Sequence, residues 1–509
     1  MAEQDLHFGS DAGRIAISSP GRTPLTYAAL AAQVEQTRCA LARAGVRPGD
    51  AVATIFPNGP EALAATIGIA SCAAVAPLNP AYTAEEIDFY LADLSTRAVV
   101  LHRDAGAPAA AAARRRGVPV LVLDPDPSGP AGAFTLEATG RAAPADVAPR
   151  PADVALLLHT SGTTARPKLV PLTRARLRRS ASHIAAALHL TPGDVCLNVM
   201  PLFHVHGLIG AALSSLCAGA TVCCTPGFNA LRFYAWLEES GATWYTAVPT
   251  MHQAVLARNP AQRPSRLRLV RSCSSPLPET IATGLESRFE VPVLNAYGMT
   301  EATHQVACTP LPPGARRPGS VGVPTGPEVG VLGEGGQLLP AGARGEIVLR
   351  GDTIIDGYEK PAAANESAFA GGWFRTGDEG LVDTDGHVTL TGRLKELINS
   401  GGEKISPYEV EDLLLRHPAV SQAVCFALPH RTRGEVVGAA VVLCAEGQAD
   451  DRVLRRFTAD HLSAFKIPQT IVMIDQLPKG PTGKLQRIGM ARLLGLDGRD
   501  GEPDTELPE

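Results

Sequence analysis

A lysine that follows a loop of small hydroxyl-bearing residues can grip a polyphosphate, and "LLLHTSGTTARPKLVPLT", Leu156 to Thr173, holds such a set. Gly162 lies six positions before Lys168, the spacing of a P-loop. Pro167 stands where the second glycine belongs, however, and Leu169 replaces the Ser or Thr that would hold magnesium. Thr160, Ser161, Gly162, Thr163 and Thr164 still offer backbone N–H groups and hydroxyls, and Lys168 offers a cation. A surface turn explains this loop equally well when it is taken alone.

Four further stretches carry chemistry-bearing residues. In "NAYGMTEATH", Tyr297 can stack on a base, Thr300 can bond a phosphate and Glu301 can serve magnesium as a hard oxygen ligand. In "RTGDEG", Asp378 can accept from ribose hydroxyls. "GRLKELINSGGEKISPYEVE" joins charge to paired glycines, and "LPKGPTGKLQR" sets Lys484 after Thr-Gly. Each has a bland reading as a helix start, a solvated turn or a loop charge.

Order and spacing shift the balance toward chemistry. The five stretches together resemble the core motifs of the adenylate-forming superfamily, which includes acyl- and aryl-CoA synthetases and peptide-synthetase adenylation domains. The resemblance runs from "PNGPEALAA" near residue 57 to "GKLQR" at 487, nearly the whole chain. It implies ATP, magnesium and CoA as partners. It implies a pyrophosphate grip at Thr160–Thr164 and Lys168, and an adenine wall at Asn295, Ala296 and Tyr297. Thr300 and Glu301 resemble the α-phosphate and magnesium contacts, and Asp378 the ribose acceptor, with Arg393 near it. Lys395 occupies the hinge position, Gly401 and Gly402 resemble the segment lining the pantetheine tunnel, and Lys484 resembles the lysine that bridges carboxylate and α-phosphate. A carboxylate attacking a phosphate sets anion against anion, so a cation between them is what the chemistry requires. The family's loop usually reads T-S-G-T-T-G-x-P-K-G, and here Ala165 and Leu169 replace both outer glycines.

Within the superfamily, "PLNPAYTAEEIDFYL", "PLFHVHGLIGAALSSL", "RSCSSPL" and "TEATHQVACTPLP" resemble the oxalate–CoA ligases. His206 and His304 flank the region where the family places its acyl group, and Ser274 lies just before the adenine wall. Two imidazoles and a hydroxyl suit a small polar acid better than a fatty chain. The expected reaction is adenylation of such an acid followed by transfer to the CoA thiol. The alternative is a biosynthetic adenylating enzyme that passes the acid, or nitrite as in an ATP-dependent diazotisation, to an amine or a carrier thiol.

The elements that must position these residues are legible too. Thr26 can cap a helix over "YAALAAQVEQTRCALARAG", and "RPGD" turns into the strand "AVATIF". Thr83 and Glu86 form a capping box ahead of "EEIDFYLADL", followed by the apolar run "AVVLH". Such βα repetition predicts an α/β fold, a large N-terminal domain of parallel or mixed sheets covered by helices. Ala62 to Leu78 reads as a buried helix entering a strand, being too weakly apolar to span a membrane. Residues 104–151, rich in Ala, Pro and Arg and weakly periodic, read as a variable surface excursion. Asp385-Gly386 predicts a hairpin turn, and Ser406-Pro407-Tyr408-Glu409 a capped helix start. The remaining length supplies a small α+β C-terminal lid domain, with the boundary placed at Arg393–Lys395, giving domains 1–394 and 395–509. The acidic tail from Asp497 reads as frayed.

At 509 residues more than one domain is expected, and 45% hydrophobic with 19% charged residues describes a globular chain. A net charge of −5 gives no electrostatic case for nucleic acid or an anionic membrane. The N-terminus lacks the basic start and apolar run of a signal peptide, and the ten cysteines show no zinc spacing. A cytoplasmic protein with reduced thiols is the expectation.

Overall fold

The computed structural model describes residues 11–105, 107–137, 149–160, 167–258, 266–445, 447–478 and 487–496. The chain divides into two compact units, one of residues 1–277, 284–329 and 349–375, the other of 278–283, 330–348 and 376–509.

The first unit is α/β, as the alternating pattern requires. Its seven-stranded sheet runs, in spatial order, Phe134–Glu137, Val120–Pro125, Ala98–His102, Ala51–Ile55, Ala74–Leu78, Val154–Thr160 and Lys168–Thr173. The five inner strands are parallel, and the two edge strands antiparallel to their neighbours. Ala51–Ile55 is buried at every position, as expected where helices cover both faces of a parallel sheet. Thr26 caps Tyr27–Arg43 through Ala29 N–H, and the Thr83–Glu86 capping box forms in both directions. Pro60–Ala70 is a buried helix that leads into Ala74–Leu78.

Within residues 104–151 the described part carries regular elements. Ala107–Arg115 is a helix, and Val120–Pro125 and Phe134–Glu137 are edge strands of this sheet. "VLVLDP" is too short and too proline-flanked to stand out by periodicity, and pairing with Ala98–His102 decides its state.

The nine-stranded sheet of the same unit runs Val323–Pro324, His304–Cys308, Val293–Met299, Leu269–Ser272, Trp244–Ala247, Val195–Asn198, Thr221–Cys224, Ile15–Ser18 and Leu25–Thr26. Its middle strands are parallel, and their register places Thr246 beside Arg271 and Ser272 beside Asn295. A one-residue slip would turn these side chains to the opposite face, so burial on both faces fixes the register. After Val195–Asn198 the chain enters a π-helix, His206–Leu213, buried throughout. Segments of that kind often mark functional sites.

In the second unit, Val420–His430 pairs with Gly434–Leu443 in a long hairpin, extended by Ile398–Ser400, Glu403–Ile405 and Thr470–Met473. The helices Pro407–Leu414 and Asp451–Ala459 contribute Val410, Leu414 and Leu454 to its core. Trp373–Val382 and Val388–Arg393 form the hairpin expected at Asp385-Gly386, with Val382 opposite Val388. Ser406 precedes the first helix as predicted, but its hydroxyl donates to the Thr391 carbonyl and caps nothing, while Glu409 pairs with Lys466 at 2.7 Å. The competing tertiary acceptor takes the hydroxyl. All ten cysteines are free, and no helix among the described residues is long and apolar enough to cross a membrane.

Candidate active site

Around the carboxyl ends of the parallel strands, three of the sequence-predicted residues converge. Ser274 Oγ lies 3.0 Å from His206 Nδ1, and His206 Nε2 lies 2.6 Å from Thr246 Oγ1. The His206 and His304 rings stack with centroids 5.4 Å apart and planes 24° apart. His304 Nε2 lies 3.1 Å from Arg271 Nη2. Both imidazoles are buried, and Ser274 is half-buried. The carboxyl ends of strands are where open α/β sheets bind ligands.

Backbone geometry here is unusual. Ser274 has φ 76°, Thr303 φ 53° and His304 φ 95°, conformations that side chains other than glycine rarely adopt. Such strain persists only where surroundings over-determine it. Thr303 is held by its own hydroxyl, which donates to the Thr353 carbonyl at 2.6 Å, and by Ser180, which donates to its carbonyl. The π-helix approaches so closely that a Cβ on Gly210 would sit 2.3 Å from His304 Nε2. A larger residue there would displace the His304 ring.

Lys168, Tyr358 and Glu301 form a second group. Lys168 Nζ sits 4.3 Å from the centre of the Tyr358 ring, and the Tyr358 hydroxyl donates to Glu301 Oε1 at 2.9 Å. Burial, reinforced by the Glu301 carboxylate, pushes the Tyr358 hydroxyl well above its ordinary pKa, so it remains a donor. Leu169 is buried in the core, its N–H donating to the Lys360 carbonyl at 2.7 Å and its carbonyl accepting from Glu359 N–H at 2.9 Å. The residue standing where the family usually has glycine thereby pins the strand that carries Lys168. At the loop's other root, His159 Nε2 lies 2.9 Å from Asp93 Oδ2, and Lys360 donates to the Asp93 carbonyl. Burial lowers the His159 pKa against the pull of Asp93.

Thr160 Oγ1 is buried and has no hydrogen-bond partner among the described residues, which fits a hydroxyl reserved for a phosphate oxygen. Ser161, Gly162, Thr163 and Thr164 lie outside the described residues, as does Lys484. Asn295, Ala296 and Tyr297 lie on the strand Val293–Met299, where Asn295 Nδ2 donates to the Ser320 carbonyl at 3.3 Å. Thr300 opens the 3₁₀ turn that buries Glu301. No cluster of three His, Cys, Asp or Glu suited to a metal occurs among the described residues. A lone buried carboxylate still fits magnesium, which takes one or two carboxylates and draws its other ligands from phosphates and water.

In the second unit, Asp378 and Arg393 are paired in register, with Arg393 Nε 3.1 Å from Asp378 Oδ1. Lys395 is exposed just beyond. Gly401 and Gly402 turn the hairpin between Ile398–Ser400 and Glu403–Ile405 with φ 60° and 95°. Three residues past Lys484, the half-buried Arg487 pairs with Glu411 at 2.6 Å and Glu396 at 2.9 Å, and it donates to the Cys425 carbonyl at 2.8 Å.

Sequence reasoning missed Arg271, Thr246, Gln305 and Tyr358. For Arg271 a signal existed: a charge directly after the apolar pair Leu269-Val270 in the short strand Leu269–Ser272.

The chain matches the family described as AMP-binding enzyme over residues 8–359 and the AMP-binding enzyme C-terminal domain over 409–484. It is 42% identical to an oxalate–CoA ligase of Arabidopsis thaliana, over 93% of this chain and 94% of that one. It is 37% identical to a sulfoacetate–CoA ligase of Cupriavidus necator, over 91% of each. Among solved structures, ATP-bound MatB from Rhodopseudomonas palustris superposes with a TM-score of 0.87 at 30% identity, covering 96% of this chain and 97% of that one. The chain belongs to the AMP-binding enzyme family. Within it, the chain is an AMP-forming acid–CoA ligase.

Proposed function

We propose that the acid is oxalate, or one of similar size bearing a second polar group, and that His206, Ser274 and His304 hold its far end. The observation that carries this reading is the buried polar cluster itself, in which two stacked imidazoles and a hydroxyl joined by hydrogen bonds offer a polar lining that suits a second polar group better than an alkyl chain. Relatives named for oxalate and sulfoacetate support it.

In the first half-reaction one carboxylate oxygen of the acid attacks the α-phosphorus of ATP, and pyrophosphate departs. In the second, the CoA sulfur attacks the acyl carbon and AMP departs. Thr160 to Thr164 and Lys168 grip the departing phosphates. Asn295, Ala296 and Tyr297 hold adenine, Thr300 the α-phosphate, and Asp378 with Arg393 the ribose. Glu301 would hold magnesium, which supplies charge neutralisation along the phosphates when bound. Lys484 supplies the positive charge that bridges carboxylate and phosphate, Lys395 is the hinge of a C-terminal domain of residues 395–509, and Gly401 and Gly402 serve the path of the pantetheine.

The test is ATP–pyrophosphate exchange against oxalate, malonate, glyoxylate, acetate, nitrite, benzoate, cinnamate and octanoate, followed by thioester formation with CoA. Exchange and thioester with small polar acids are expected. Exchange with octanoate or cinnamate and none with the small polar acids would sink the reading.

A further inference from the structure

Arg271 is fully buried at the centre of this cluster. Its Nε and Nη2 donate to Gln305 Oε1 at 3.2 and 2.8 Å, Nη2 also to His304 Nε2 at 3.1 Å, and Nη1 to Thr246 Oγ1 at 3.1 Å. Every one of these acceptors is neutral, and no Asp or Glu among the described residues pairs with it. A guanidinium does not lose its proton inside a protein. Hydrogen bonding is therefore satisfied while the charge is not, and burying an uncompensated charge is expensive.

The same guanidinium sets the polarity of the network. Because Arg271 only donates, His304 Nε2 must accept, and the His304 proton sits on Nδ1. Thr246 Oγ1 accepts from Arg271, so its own proton is left for His206 Nε2. His206 Nδ1–H then donates to Ser274 Oγ, and the Ser274 O–H becomes the outermost donor of the chain. The opposite assignment would orphan the fully buried Thr246 hydroxyl proton. Ser274 is thus presented as a donor, with an unbalanced positive charge behind it.

We infer that Arg271 is the positioning residue that selects acids carrying a second anionic group, acting through the relay Thr246–His206–Ser274 and through its uncompensated charge. The inference rests on the small-acid reading above and narrows it to dianions. Adenylation removes the charge of the attacking carboxylate, whereas a second anionic group keeps its charge and balances Arg271 through both half-reactions.

The test is pyrophosphate exchange by wild type, Arg271→Met, Arg271→Lys and Thr246→Val, with oxalate and its monoanionic analogue glyoxylate. Arg271→Met should raise the oxalate KM on the order of 100-fold while the ATP KM stays within about threefold. The preference for oxalate over glyoxylate should fall by the same factor. Thr246→Val, which keeps the charge and cuts the relay, should raise the oxalate KM by roughly tenfold. Arg271→Lys keeps charge without the planar fork and should fall between wild type and Arg271→Met. The lysine and valine variants remain readable if Arg271→Met does not fold. An equal loss with both acids, or an unchanged oxalate KM, overturns the inference and leaves the small-acid reading standing. If wild type uses malonate or sulfoacetate but not oxalate, the named acid is wrong and the same variants are read on that dianion. Wild-type preference for monoanions overturns the inference directly.

Discussion

Gly210→Ala adds one methyl group and no charge, yet the structure predicts a selective defect. The added Cβ would lie 2.3 Å from His304 Nε2 and 2.6 Å from His304 Cδ2. Ordinary contacts between such atoms begin near ~3.5 Å, so the imidazole must retreat by about 1 Å. The Arg271–His304 hydrogen bond, at 3.1 Å, then stretches past bonding range. Losing one hydrogen bond to a charged group costs about 1.5–3 kcal/mol, which corresponds to roughly 10- to 150-fold in affinity. The loss should fall on the acid KM and spare the ATP KM if His304 holds the acid as proposed. Alanine is favoured over glycine within a helix by about 1 kcal/mol, which offsets part of the clash, so the thermal midpoint should move little. Pyrophosphate exchange at saturating ATP, with the acid varied, reads the effect. A control separates steric from other causes: with His304→Ala already present the methyl meets no ring, and Gly210→Ala should add nothing. An unchanged acid KM in Gly210→Ala, or an equal rise for ATP, would refute the placement of His304.

Two other expectations concern catalysis and pH. Lys484→Ala should reduce adenylation by roughly 10³-fold while still converting a supplied acyl-adenylate to thioester, since charge bridging matters only where carboxylate meets phosphate. Parallel loss of both half-reactions would contradict that role. His252 is fully buried, and burial lowers its pKa to about 4. The unfolded chain binds that proton near pH 6.5, so the contribution is fully present above pH 6.5 and is lost as pH falls toward 4. Between pH 7 and 5 this amounts to about 2 kcal/mol, and urea denaturation of His252→Leu should show a correspondingly flatter pH dependence. Identical slopes for the two proteins would remove His252 as the cause.

Local signals were the ones the sequence made readable. Thr26, the Thr83–Glu86 box and the Asp385-Gly386 turn act within four residues of themselves, so their geometry follows from their neighbours. Ser406 shows the limit: its type and spacing predict a cap, but Thr391, fifteen positions away, takes the hydroxyl. His206, Ser274 and His304 were found through resemblance, while their connection was not, because Arg271 and Thr246 meet across the register of two parallel strands. Tyr358 escaped for the same reason, its partners Lys168 and Glu301 lying far away in sequence. The strands between residues 120 and 137 were missed because an edge strand declares itself only when its neighbour is known.

The left-handed backbone at Ser274 has an evolutionary consequence. Glycine would occupy φ 76° without strain, and relieving such a conformation is worth on the order of 1 kcal/mol. Mutational drift in a lineage no longer selected on its acid should therefore carry position 274 toward glycine, gaining stability as it loses the hydroxyl. Where Ser274 holds the acid as proposed, a glycine at that position in any descendant of this chain would be an early mark of a changed or abandoned substrate.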